Sequence, residues 1–214
     1  MGKAGTKCYP HEGKEMTSRR RIIKIMDSIN TLTLAHACAR DRVKPGDLCI
    51  DATAGRGQDT ALLCDLVGPT GRVLSFDIQE AAVESTRNRL KERGLEEIGT
   101  VILDSHSNMD KYAKPDSVDL IVFNFGYLPG GNRQLFTVAD TSCEAITKGL
   151  VLLKNSGIMC LSLYFGGPNG YSERDAILAL VKTFDPRTCT VIVCDFANRK
   201  ADSPFPIFII KGAY

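Results

Sequence analysis

The sequence predicts one α/β domain whose mostly parallel sheet ends in an antiparallel pair and carries helices on both faces. Three observations carry that expectation. Five short apolar runs, Leu48 to Ala52, Arg72 to Asp77, Thr100 to Asp104, Val118 to Phe123 and Gly157 to Tyr164, are separated by segments long enough for a crossover helix. Buried runs of strand length alternating with helices are the pattern of a parallel sheet. The chain then finishes with two further runs, Cys189 to Phe196 and Pro206 to Lys211, joined by the polar loop Ala197 to Ser203. A parallel return needs a dozen or more residues, so these two pair antiparallel. Finally, 214 residues that are 43% hydrophobic suit one full core and leave little for a second.

The elements follow in order. From Ser18 to about Arg42, Ile22, Ile25, Ile29, Leu32 and Ala35 recur at helical spacing, and Pro45-Gly46 ends the pattern. Exposed apolar positions on this leading helix would permit a homodimer. The first strand passes through a glycine-containing turn into a helix over Ala61 to Leu66. Gly68-Pro69-Thr70-Gly71 turns the chain into the second strand, Lys154-Asn155-Ser156-Gly157 turns it into the fifth, and a last helix spans Glu173 to Phe184. There are no repeats and no linker: residues 1–17 read as a basic arm and 18–214 as the domain.

Net charge is only +2, but residues 1 to 24 hold seven basic residues against two acidic ones, a local +5 that leaves −3 for the rest. Such an arm is either a patch for a polyanion or simply solvated. Cys38, Cys49, Cys64, Cys143, Cys160 and Cys194 lie among apolar residues with no Cys-x-x-Cys pair, which fits reduced thiols in a cytoplasmic protein and excludes a disulfide scaffold. No apolar run approaches membrane-spanning length, no signal-peptide core is present, and the scattered histidines 11, 36 and 106 give no metal-ligand spacing.

The chemistry gathers at strand ends. The first strand runs into Asp51-Ala52-Thr53-Ala54-Gly55-Arg56-Gly57-Gln58-Asp59-Thr60, where glycines let the backbone turn sharply and approach a ligand at a helix N-terminus. A lone Gly-x-Gly also occurs as a plain turn. The pyrophosphate fingerprint wants a third glycine where Thr60 stands, and Asp51 disfavours a phosphate while suiting an ammonium group. Asp77 ends the second strand about 20 residues on, the separation expected of a carboxylate that grips ribose hydroxyls. Ile78 and Gln79 would flank an adenine, and Asp104-Ser105-His106 stands where a side chain could accept from the adenine amine. Each of these residues alone could be a helix cap. Three strand ends supplying them together favour a ligand site over three caps, and the incomplete fingerprint with Asp51 favours a cofactor with a cationic amino-acid end over NAD.

Over residues 45–214 this pattern resembles the class I S-adenosylmethionine-dependent methyltransferases. The resemblance implies a Rossmann-like, seven-stranded sheet whose last strand is antiparallel. It implies cofactor contacts at Asp51, Thr53, Gly55, Gly57, Asp59, Thr60, Asp77, Ile78, Gln79, Asp104, Ser105, His106 and Asn124. After the fourth strand, Asn124-Phe125-Gly126-Tyr127-Leu128-Pro129-Gly130-Gly131 resembles the Asn-Pro-Pro-Tyr motif of methyltransferases acting on planar amines, with both prolines replaced. Asn124, Gly126 and Tyr127 are then the catalytic candidates. Asn124 would aim the amine lone pair, Gly126 allow close approach and Tyr127 stack on a base; Tyr127, Pro129, Gly130, Tyr164 and Gly167 would line the acceptor site. An ordinary Gly-Pro loop with Tyr127 as a packing aromatic is the bland alternative.

These runs, with Phe76-Asp77-Ile78-Gln79, are similar from Asn30 onward to a bacterial family first labelled rRNA methylases and now understood as tRNA wobble-uridine methyltransferases. The similarity implies conversion of 5-aminomethyl-2-thiouridine to its methylamino form, with the tRNA anticodon region as partner. The candidates to orient or deprotonate the amine are Tyr127, Asp104, His106 and the loop from Tyr164 to Gly170; that family usually carries a histidine where Gly166 stands, which weakens a histidine base in this loop. Asn30 and His36 on the leading helix lie near the cofactor mouth or simply at the surface. Asn198, Arg199 and Lys200 either touch an anticodon phosphate or form a solvated tip. The alternatives are methylation of rRNA or of a small metabolite, and a scaffold that binds the cofactor without catalysis.

Overall fold

The computed structural model describes residues 29–126, 138–165 and 170–212. Seven strands form one sheet in the order β3-β2-β1-β4-β5-β7-β6: β1 (Leu48–Asp51), β2 (Arg72–Asp77), β3 (Gly99–Leu103), β4 (Val118–Phe125), β5 (Leu153–Leu163), β6 (Cys189–Val193) and β7 (Phe205–Lys211). Strands β1 to β5 pair in parallel, and β7 runs antiparallel to both β5 and β6. The hairpin is therefore inserted with its second strand inward, because β7 is the more apolar: Ile207 and Ile209 are fully buried, while Ile192 and Val193 of β6 stay exposed at the sheet edge.

Among the described residues five α-helices cover the two faces: α1 (Thr31–Arg42), α2 (Gln58–Val67), α3 (Glu80–Glu92), α4 (Ala139–Leu152) and α5 (Gly170–Lys182). Ala35 and Ala39 of α1, Leu63 and Cys64 of α2 and Leu90 of α3 form one core with Cys49, Val73 and Cys160 of the sheet. Ile146 of α4, Ile177 of α5 and Met109 of a 3-10 turn (His106–Lys111) form the other core with Ile121, Phe123 and Leu161. Alternate residues of one strand feed opposite faces, which is why the buried strands read as continuous apolar runs.

The structure moves several expected boundaries. The leading helix does not run unbroken from Ser18: residues 18–28 and the basic arm 1–17 lie outside the described residues, and Asn30 is extended. Its side chain accepts from the Thr33 N–H while the Thr33 hydroxyl accepts from the Asn30 N–H, a reciprocal cap that starts α1 at Thr31. Helix α2 begins at Gln58, not Ala61, because Gly57 in the left-handed region (φ 72°) serves as its N-cap. Strand β4 continues two residues past Phe123, since Asn124 and Phe125 still pair with Ser162 and Leu163. The expected turn at 154–157 is present as an interruption of the β4–β5 ladder, whose pairing steps from Leu153 to Ile158, with Ser156 at φ 66°.

Candidate functional site

The carboxyl ends of β1, β2 and β4 open onto a cleft of about 600 Å³, lined from one side to the other by Thr53, Gly55, Asp59, Asp77, Ile78, Gln79, Asp104, Ser105, His106, Asn124, Gly126 and Tyr164. The crevice outside the strand ends is where open α/β sheets bind ligands. Eleven of the residues expected from sequence to serve a cofactor or acceptor at these strand ends thus share one cavity with Tyr164. Tyr127, Pro129, Gly130 and Gly167 lie outside the described residues.

Three of the residues expected to touch the cofactor are placed beneath the cleft surface. Asp51, Gly57 and Thr60 are not part of the cleft lining. Asp51 is 0% exposed, and its carboxylate accepts from the Thr53 N–H (3.1 Å) and the Thr60 hydroxyl (2.6 Å), which also bonds Ser75 (2.8 Å). A carboxylate so enclosed braces the loop from beneath. Burial, reinforced by the charge of Asp59, raises its pKa to about 7. Gly57 lies against α3, where a Cβ would come within 2.9 Å of Thr86. The packing of loop on helix requires glycine there for steric as well as conformational reasons.

Asp77 does line the cleft. Its Oδ2 accepts from the Gly55 N–H (3.0 Å) and its Oδ1 from the Gln79 N–H (2.9 Å), so both turns that flank the cavity are tied to one carboxylate. Ile78 beside it is 54% exposed, an apolar surface turned toward the cavity. Asp104 accepts from the Asn108 amide, the Ser105 N–H and the Tyr112 hydroxyl. Asn108 foremost among these holds its carboxyl below the ordinary value.

His106 is 9% exposed and packs edge-on to Phe123 and Phe125. Burial lowers its pKa to about 4, against a backbone hydrogen bond with Ala52, so the ring is neutral at pH 7. Its Nε2 is buried without a partner among the described residues. Burial and then the Asp59 charge push the Tyr164 phenol above its ordinary value, which keeps it protonated.

Asn124 sits on β4 itself, not in the loop after it, so a strand fixes its backbone. Its N–H donates to Thr53 Oγ1 (2.8 Å) and its side-chain amide donates to Asp59 Oδ2 (2.5 Å). The other Asp59 oxygen lies 2.6 Å from Nε2 of His36, which resolves the open choice for that histidine: it is half-buried and bonded at the cleft, not free at the surface. Sequence reading missed Leu32 of α1, and Val138 and Thr141 at the start of α4, all of which line the cavity. Nothing local marks them, for they arrive from other elements. Arg199 of the β6–β7 loop donates to the Ile29 carbonyl and stacks its guanidinium 3.8 Å from the Phe196 ring centre, tying that loop to the start of α1.

This architecture agrees with known proteins. Residues 73–210 match the family described as "Putative rRNA methylase". A crystal structure of a protein so described from Clostridium thermocellum superposes with a TM-score of 0.83 at 38% identity, covering 86% of this chain and 98% of that one. A methyltransferase from Streptococcus mutans, solved in complex with SAH, gives 0.77 at 31% identity over 86% of this chain and 99% of its own. The chloroplastic tRNA (mnm(5)s(2)U34)-methyltransferase of Arabidopsis thaliana is 36% identical over 155 residues, 68% of this chain and 57% of its own length. The chain spans about half the length of the curated relatives it matches. This chain belongs to the rRNA methylase family of class I S-adenosylmethionine-dependent methyltransferases. Among the described residues no helix is long and apolar enough to cross a membrane.

Proposed function

We propose that the protein methylates an amine on RNA, the 5-aminomethyl group of a tRNA wobble 2-thiouridine, using S-adenosylmethionine bound in the cleft. The observation that carries this reading is Asn124, an amide anchored by backbone and side chain at the strand end that borders the cavity. An in-line transfer to nitrogen needs an acceptor that orients the amine's hydrogens and so turns its lone pair to the methyl carbon. Asn124 supplies such an acceptor without competing for the methyl group.

The cleft fits the cofactor by its own chemistry. Asp77 is a rigidly held anion at the end of β2, suited to a pair of ribose hydroxyls. Ile78 offers exposed apolar surface for the face of an adenine ring, and the buried, unpartnered Nε2 of His106 is a polar atom that a ligand would satisfy. When bound, the sulfonium supplies an electrophilic methyl group. The chain's residues orient the acceptor and exclude water, for which precise positioning contributes on the order of 7–11 kcal/mol. His106 is neutral at pH 7 and free to accept a hydrogen bond, whereas Tyr164 holds its proton.

The Arabidopsis relative supports the tRNA substrate, and the basic residues of the first 24 support a polyanionic partner. The free thiols of the seven described cysteines suit a reducing compartment such as the cytoplasm. The test is incubation of the protein with isotope-labelled S-adenosylmethionine and bulk tRNA lacking the final wobble methylation, followed by nucleoside mass spectrometry. Label in 5-methylaminomethyl-2-thiouridine is expected. Label only in rRNA supplied in parallel, or in no nucleoside, would sink the tRNA reading.

A further inference from the structure

Three residues remote in sequence meet at one side of the cleft. His36 comes from α1, Asp59 from the first turn of α2 and Asn124 from the end of β4. Asp59 stands between the other two, its Oδ1 2.6 Å from His36 Nε2 and its Oδ2 accepting from Asn124 Nδ2 at 2.5 Å. Resting on the amine-methylation reading above, we propose that His36 is a positioning residue for the methyl acceptor. Through Asp59 it locks the Asn124 amide with its nitrogen toward the carboxylate and its oxygen left to the substrate amine.

The chemistry of the groups sets the orientation. An ionised carboxylate only accepts hydrogen bonds, so an amide beside it must present its NH₂, and the oxygen turns the other way. No hydrogen bond among the described residues occupies that oxygen. The carboxylate itself needs a second anchor, because a side chain held at one oxygen can rotate about its terminal bond and carry the amide with it. His36 supplies that anchor from a rigid platform. Helix α1 is capped by Asn30 and Thr33, and it seats Ala35 and Ala39 in the core on either side of the histidine.

The trio is also shielded. The His36 and Asp59 side chains are 23% and 13% exposed. The space enclosed beside them, bounded by Ala35, Ala39, Cys160 and Ser162, is about 10 Å³, the lower limit for a single water. Hydrogen bonds to a charged group in such a setting are among the stronger ones. The fixed amide is therefore a property of three elements packed together, with α1 as the part that makes it rigid.

Steady-state kinetics with S-adenosylmethionine and the undermethylated tRNA, combined with NMR of the Asn124 side-chain amide, test this assignment. His36→Ala should lower kcat by about tenfold or more while leaving KM for the cofactor within about twofold. His36→Gln, whose amide nitrogen reaches the position of Nε2, should recover most of the loss. In an Asn124→Ala background the His36→Ala change should alter kcat by less than about twofold, since the interaction it supports is already gone. Equal losses in both backgrounds, or no recovery with glutamine, would overturn the proposal.

The NMR arm does not depend on the substrate. The Asn124 side-chain amide resonance, assigned by its disappearance in Asn124→Ala, should show one downfield, exchange-protected proton that is lost in His36→Ala and restored in His36→Gln. If the wild-type protein transfers no methyl group to tRNA, the substrate reading falls alone. An Asn124 resonance unchanged by His36→Ala overturns the positioning role whatever the substrate.

Discussion

Gly57 and Thr86 are packed so closely that a Cβ on the glycine would stand 2.9 Å from both the Cα and the Cγ2 of the threonine. The threonine hydroxyl also reaches back to the Gly55 carbonyl at 3.3 Å. Helix α3 thus acts as a backstop for the loop that forms one wall of the cleft. Replacing Gly57 with alanine adds a clash with backbone and forces a side chain into the left-handed region. A loss of about 1–3 kcal/mol of stability is expected, read as a lower midpoint in urea denaturation. Gly57→Ala with an unchanged midpoint would show that the loop yields freely.

Asp77 ties Gly55 and Gln79 together and faces the cavity between them. Asp77→Ala should weaken S-adenosylhomocysteine binding by about tenfold or more, because it removes the carboxylate proposed to hold the ribose and loosens both turns. Isothermal titration calorimetry reads the affinity directly. Binding within twofold of wild type would place the ribose elsewhere.

Asp51 predicts a pH dependence of stability. Its folded pKa of about 7, raised by burial and then by Asp59, exceeds the value of about 3.9 expected in the unfolded chain. Its contribution is therefore fully present below about pH 4 and is lost as pH rises through about 7. In Asp51→Asn that loss disappears, and the new amide can still meet Thr60, whose hydroxyl turns to Ser75. Thermal melts of the two proteins from pH 5 to pH 8 should show the variant gaining on the wild type as pH rises. Parallel curves would mean that Asp51 does not titrate in this range.

Gly126 follows Asn124 and Phe125 at φ 147°, and a Cβ there would lie 3.2 Å from Cβ and 3.3 Å from the carbonyl oxygen of Tyr164. Gly126→Ala should push β4's exit away from Tyr164 and reduce kcat about tenfold or more, with cofactor affinity retained. A parallel loss of S-adenosylhomocysteine affinity would show that the shift also disturbs cofactor binding.

Much of this molecule was legible along the chain. Apolar runs of strand length, the Gly-x-Gly turn after β1 and the acidic residues ending β2 and β3 are local signals. A parallel sheet brings successive strand ends to one edge whatever the loop details. Hence Asp77, Asp104, His106 and Asn124 were expected at one site and share one cavity. What the chain order does not encode is side-chain depth and partnership. Asp51 has the same spelling whether it meets a ligand or, as here, disappears beneath Thr53 and Thr60.

His36 is ambiguous in sequence because its partner is 23 residues away and becomes a neighbour only when α1 docks on the sheet beside α2. The inward place of β7 likewise follows from which of two similar apolar strands buries more surface against β5, a comparison made only in the assembled core. Local periodicity and turn chemistry thus determine the elements and the edge at which chemistry gathers. Packing between distant segments decides which polar groups brace the site and which are left to face a ligand, because hydrogen bonding and burial depend on positions in space.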